Sequence, residues 1–260
     1  MTSSLSPAHA SLLDTVPAGS SDVVTQDVQY ESDGVALEGY LAYDRTTDGP
    51  RPAVLVVHDW TGVGEYVQVR CQMLARLGYV AFAADIYGRG VRPQGGEAAA
   101  VAGSYYGNPT LMRARVQAGL AQLVSEPLVD PSRVAAIGYC FGGAVALALV
   151  ASGADIAGVV SFHGALSPVS AHDAAQIKAR ILVLTGAADP VVPDDAVVAF
   201  QNSLRQVPAV HWQLTSYSNA MHAFTLPEAA DPEHGANYNA PAERRSWVAM
   251  RDFFDEIFAG

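Results

Sequence analysis

The sequence predicts an α/β protein: a single domain built on a mostly parallel central sheet with helices on both faces. Three observations carry this. From "PAVLVVHDW" at residues 52–60 onward, short apolar runs alternate with helix-permissive segments, the rhythm of successive strand–helix–strand units. Half of the 260 residues are hydrophobic, enough to cover both faces of a buried sheet within one domain. No internal repeat interrupts the alternation.

Taken in order, residues 1–22 ("MTSSLSPAHASLLDTVPAGSSD") are rich in Ser, Ala and Pro with little periodicity, and read as a flexible N-terminal arm. They lack the basic start and sustained apolar stretch of a secretory signal. The ordered domain is expected over 23–260. "VVTQDVQYES" and "VALEGYLAYD" alternate as a hairpin joined around Ser32-Asp33-Gly34. Buried strands are predicted at Ala53 to Val57, Tyr79 to Ala83, Val134 to Gly138, Ile156 to Phe162, Arg180 to Leu184 and Val210 to Leu214. Helices fall between and after them: Tyr66 to Leu77, Leu111 to Leu123, Gly142 to Ala151, Asp194 to Arg205 and Glu243 to Phe258. In such a sheet, functional groups gather beyond the carboxyl ends of the strands.

Charge and cysteine content narrow the function. Fifteen Lys and Arg against 26 Asp and Glu leave a net charge of −11, and Lys178 is the only lysine. No basic stripe exists to track nucleic acid or an anionic membrane, and no run is long and apolar enough to span a bilayer, so the expected compartment is the cytoplasm. There is no Walker loop and no G-x-G-x-x-G at the first strand-to-helix turn, so no nucleotide cofactor is expected. Two cysteines make neither a disulfide framework nor a cysteine zinc site. Cys71 falls among apolar positions at helical spacing and reads as helix core. His58 and Asp59 have no third ligand at a diagnostic spacing, so no metal is expected.

Cys140 is different. Gly138-Tyr139-Cys140-Phe141-Gly142 has the form of a nucleophile elbow with sulfur in place of the hydroxyl oxygen, set between a strand and a helix. Flanking glycines permit the strained turn, and the helix N-terminus favours a thiolate. Taken alone, the same pattern also fits a core cysteine at a tight strand–helix contact. Asp189 in "TGAADPVVP" follows the next strand but one, and His222 in "SNAMHAF" follows the last. Asp189 could instead cap the helix near Asp194, and His222 could be an ordinary loop histidine. Together they stand in the order nucleophile, acid, histidine, each at a strand end, which points to a Cys-His-Asp triad and a thioester acyl-enzyme. The backbone N–H of Phe141 is the expected first oxyanion donor, and that of Trp60, after "AVLVVH", the expected second.

With "GYCFGG", "TGAADPVVP", "MHAF", "HDWTGV" and "ADIYGRG" in view, roughly Gly34 to Phe258 resembles the dienelactone hydrolase (carboxymethylenebutenolidase) family of α/β-hydrolases. The resemblance implies an α/β-hydrolase fold and a cofactor-independent hydrolase acting on a small ester or lactone, as a monomer or small homo-oligomer. It implies that Asp59 contacts the resting thiol and that Arg89 binds a substrate carboxylate. Two positions depart from the family: the acidic residue is the shorter Asp59, where glutamate is typical, and Leu226 stands where a second arginine is expected. From the residues alone, Asp59 could cap the following helix, Arg89 could be a solvated loop cation, and His163 in "VVSFHGALSP" could line the pocket or serve the structure. Leu226 favours a thioesterase or general carboxylesterase as the alternative, and a non-catalytic binding protein or a thiol redox sensor are rivals from other classes.

Overall fold

The computed structural model describes residues 5–259. Strands β1 (Val23–Ser32) and β2 (Val35–Asp44) form the predicted hairpin, closed by Asp33 and Gly34 at φ 50° and 75°. Two adjacent residues with positive φ make the tight turn whose twist matches that of the strands. Then come β3 (Arg51–Val57), β4 (Val80–Ala84), β5 (Val129–Tyr139), β6 (Gly158–Phe162), β7 (Arg180–Gly186) and β8 (Trp212–Tyr217). The sheet order is β1-β2-β4-β3-β5-β6-β7-β8; β4 through β8 run parallel, and the hairpin joins antiparallel to β4. A short antiparallel pair, β9 (Ala230–Asp231) and β10 (Ala236–Asn237), lies apart.

Eight helices accompany the strands among the described residues: α1 (Pro7–Leu13), α2 (Glu65–Arg76), α3 (Gly95–Tyr106), α4 (Pro109–Ser125), α5 (Phe141–Ala151), α6 (Ala171–Ala174), α7 (Asp194–Arg205) and α8 (Ala240–Phe258). Alternation along β3 divides the core. Leu55 and Val57 pack with residues of α3, α4, α5 and α7, while Val54 and Val56 pack with α1, α2 and α8. Strands buried on both faces read as unbroken apolar runs, which is why β3, β4 and β6 were visible as such.

The expected flexible arm is corrected by α1. Ser6 caps it through a hydrogen bond from the His9 N–H, Pro7 occupies the first turn, and Leu12, Leu13 and Val16 are buried. Arg76 of α2 donates to the Leu13 and Val16 carbonyls at 2.8 and 2.7 Å, tying the segment down. Residues 1–4 of that expectation lie outside the described residues. Helix α3 has no sequence signature: its cap, Gln94, makes no side-chain capping bond, and its alanines and glycines show weak periodicity.

Candidate active site

Cys140 sits between β5 and α5 with φ 54° and ψ −117°. A β-carbon at Gly138 would overlap the Gly142 carbonyl, and one at Gly142 would overlap the Val57 carbonyl, so the elbow requires glycine at both places. The strained residue is held from behind. Its N–H is shared between the Phe162 carbonyl at 3.0 Å and His163 Nδ1 at 3.2 Å.

In front of the elbow, His222 Nε2 is 3.0 Å from Cys140 Sγ, and His222 Nδ1 is 2.9 Å from Asp189 Oδ2. Asp189 Oδ1 accepts the N–H groups of Val191 and Val192, which orients the carboxylate. The N-cap position of α7 is Pro193, and no side chain caps that helix, Asp189 included. The His222 backbone is pinned to β10 by bonds to Gly235 and Asn237. Burial opposes the imidazolium, but the hydrogen bonds and charges of Asp189 and Cys140 outweigh it and raise the His222 pKa to about 10.

Of the expected oxyanion donors, neither the Phe141 nor the Trp60 N–H has an acceptor among the described residues. His58, unused in the sequence reading, bears on the second. Its Nε2 accepts the Ile86 N–H at 3.1 Å, so its proton sits on Nδ1, which donates to the Asp59 carbonyl at 2.6 Å. That carbonyl shares a peptide plane with the Trp60 N–H and fixes its direction.

Three expectations change. Asp59 lines the cavity, but its Oδ1 accepts from the Thr61 N–H and hydroxyl at 2.7 and 2.6 Å; its carboxylate makes no hydrogen bond to Cys140, and Gly64, not Asp59, caps α2. Arg89 lies outside the cavity: its backbone bonds to Ala36 of β2 and its guanidinium pairs with Glu38 at 3.4 Å. His163 does not line the cavity either. It is wholly buried behind the elbow, and its Nε2 meets Thr225 Oγ1 at 2.7 Å. Thr225 in turn meets Tyr66 at 2.8 Å and, through its carbonyl, Arg70 at 3.1 Å; Arg70 pairs with Glu243 at 3.0 Å. Burial, with the His222 charge second, holds the His163 pKa well below the usual histidine value.

The cavity over Cys140 has a volume of about 800 Å³. Helix α3 contributes Ala99, Ala102, Gly103 and Tyr106, and α1 contributes His9. Tyr106 stands edge-on to Phe141 at 5.5 Å. None of these wall residues was foreseen, because the helices carrying them have no strong pattern. Cys71 lies in the core, with burial pushing its thiol pKa up. No group of three or more metal-ligating side chains occurs among the described residues, and no helix of the described residues is long and apolar enough to cross a membrane.

A parallel sheet with an elbow at the end of a central strand and an aspartate-backed histidine in a later loop defines an α/β-hydrolase. The model of the dienelactone hydrolase family matches residues 37–258. The chain belongs to that family and is a hydrolase acting on esters. A metagenomic dienelactone hydrolase-like protein, described as a promiscuous phosphotriesterase, is 38% identical with a TM-score of 0.87, the match covering 90% of this chain and 98% of that one. A candidate dienelactone hydrolase from Klebsiella pneumoniae matches over the same shares at 26% identity and a TM-score of 0.68. A candidate carboxymethylenebutenolidase of Escherichia coli K12 is 27% identical, the match covering 98% of this chain and 95% of that protein.

Proposed function

We propose that the protein cleaves a small ester or lactone through a thioester formed on Cys140. The observation that carries this is the line from Cys140 Sγ through His222 to Asp189, at 3.0 and 2.9 Å. His222 accepts the thiol proton on Nε2, with Asp189 stabilising the imidazolium through Nδ1–H. The thiolate adds to the ester carbonyl carbon, and the resulting oxyanion takes the N–H groups of Phe141 and Trp60. Collapse breaks the bond to the alkoxy oxygen, which leaves with the proton from His222. Water then attacks the thioester while His222 takes its proton; the acid departs and the thiol is restored.

Leu226 in the cavity lining and Arg89 outside it favour a general carboxylesterase over a strictly dienelactone-type enzyme. A panel of dienelactone, p-nitrophenyl esters, acyl thioesters and, given the metagenomic relative, a phosphotriester tests the reading. Intact-mass measurement during turnover of a slow ester is expected to find one acyl adduct, mapped to the Cys140 peptide. Ester turnover with no adduct in wild type and undiminished activity in Cys140→Ala would overturn it.

A further inference from the structure

The cavity carries a charge pattern with a consequence for substrate choice. Among the described residues four carboxylates line it, Asp59, Glu65, Glu228 and Asp231, and no lysine or arginine does. His9, His222 and His234 also line it, but each is bonded to a carboxylate: His9 to Glu65 at 2.6 Å, His222 to Asp189 at 2.9 Å and His234 to Asp231 at 2.8 Å. Even fully protonated, these three histidines offset their own partners, Glu65, Asp189 and Asp231, and leave Asp59 and Glu228. Asp59 is the weightiest: it is 4% exposed, and its side chain meets Thr61 and no cation. Arg89, which could have supplied a cation, faces Glu38. The whole chain, at −11, adds a field of the same sign.

We propose that this cavity selects esters bearing no negative charge and rejects those with a carboxylate in the acyl part. The proposal rests on the reading of Cys140 as the nucleophile of this cavity. An anionic acyl group entering it would lose hydration while facing uncompensated carboxylates, whereas an uncharged group meets the methyl and ring surfaces of Ala102, Tyr106, Phe141 and Leu226. A cationic group would lose hydration as well but would be attracted.

The test uses the full chain and three p-nitrophenyl esters of matched acyl length: the butyrate, the monoglutarate with a free carboxylate, and 4-(trimethylammonio)butyrate. Each kcat/KM is divided by the hydroxide-catalysed rate of the same ester. At low ionic strength the monoglutarate is expected to fall about tenfold or more below the butyrate, with the trimethylammonium ester well above the monoglutarate. Salt should narrow the gap, as should Asp59→Asn, which keeps an acceptor for Thr61, and Glu228→Gln. A monoglutarate turned over as well as the butyrate overturns the proposal. So do two charged esters that are equally poor, because the cavity would then select against polarity and not against sign. Cys140→Ala separates this from the catalytic reading: if it retains activity on the butyrate, the covalent route fails while the charge ranking of the wild type still stands or falls by itself.

Discussion

His163 and His222 occupy loops at the ends of β6 and β8, their rings 5.3 Å apart, and they have opposite chemistry. His222 faces a carboxylate and a sulfur, and its pKa is raised to about 10. His163 is enclosed by Phe162, Phe224, Tyr139 and Thr225, has no carboxylate partner, and its pKa lies well below the ordinary value. With Nδ1 accepting the Cys140 N–H, its proton must sit on Nε2, facing the Thr225 hydroxyl. In the proposed mechanism one ring moves a proton. The other is placed to hold a backbone, and the two loops are joined behind the site because Thr225 follows His222 by three residues. Residue type and strand-end position are shared; the neighbours decide the role.

Removing the proposed proton carrier should have the largest effect. His222→Ala is expected to lower kcat/KM by a thousandfold or more with an unchanged circular dichroism spectrum, because among the described residues nothing else within hydrogen-bond distance of Cys140 Sγ can take its proton. Asp189→Asn, which keeps the shape but loses the charge that orients and stabilises the imidazolium, should cost on the order of a hundredfold or more in kcat, measured with the same ester. Both readouts break the comparison if activity survives.

His163→Leu should be milder, about ten- to a hundredfold in kcat with KM little changed, since the Cys140 N–H keeps its bond to Phe162 and the Thr225 hydroxyl keeps Tyr66 while losing its other partner. His163→Asn, whose side chain offers both an acceptor and a donor and which tolerates the positive φ of 39° found there, should recover most of that loss. A merely space-filling residue would show no such rescue.

The smallest effect is on stability against pH. The folded His163 stays neutral where the unfolded chain, with an ordinary histidine pKa near 6.5, takes up a proton. The unfolded state then binds more protons, so this residue's contribution to stability falls as pH drops below about 6.5. Thermal melts between pH 6.5 and 5 should therefore show a decline that His163→Asn flattens; an identical slope in the variant would contradict the assignment.

Much of this was readable in the sequence, for physical reasons that differ by residue. The elbow was legible because its glycines are demanded by backbone contacts within the motif itself, and Asp194–Arg205 was bounded correctly because its apolar face repeats strongly. That Asp189 and His222 meet beside Cys140 was legible from order and strand-end position. Arg89 was not, since a motif places a residue on a loop but does not choose whether its side chain turns to the cavity or to Glu38. The choice between pocket and structure for His163, and the bonds of His58, were equally out of reach, because each depends on backbone groups brought close only by the fold. Helix α1 owes its order to docking on α2, which local composition does not encode.

The central claim is that His222, and not the elbow alone, activates Cys140. Iodoacetamide labelling of the Cys140 peptide across pH, in wild type, His222→Ala and His163→Asn, tests it most directly, with the buried Cys71 peptide as the internal reference. The wild type and His163→Asn should label rapidly at pH 7, whereas His222→Ala should label about tenfold slower there and recover only as pH approaches the range of an ordinary thiol, about 8.5. An unchanged profile in His222→Ala would contradict the account and assign activation of the sulfur to the helix N-terminus.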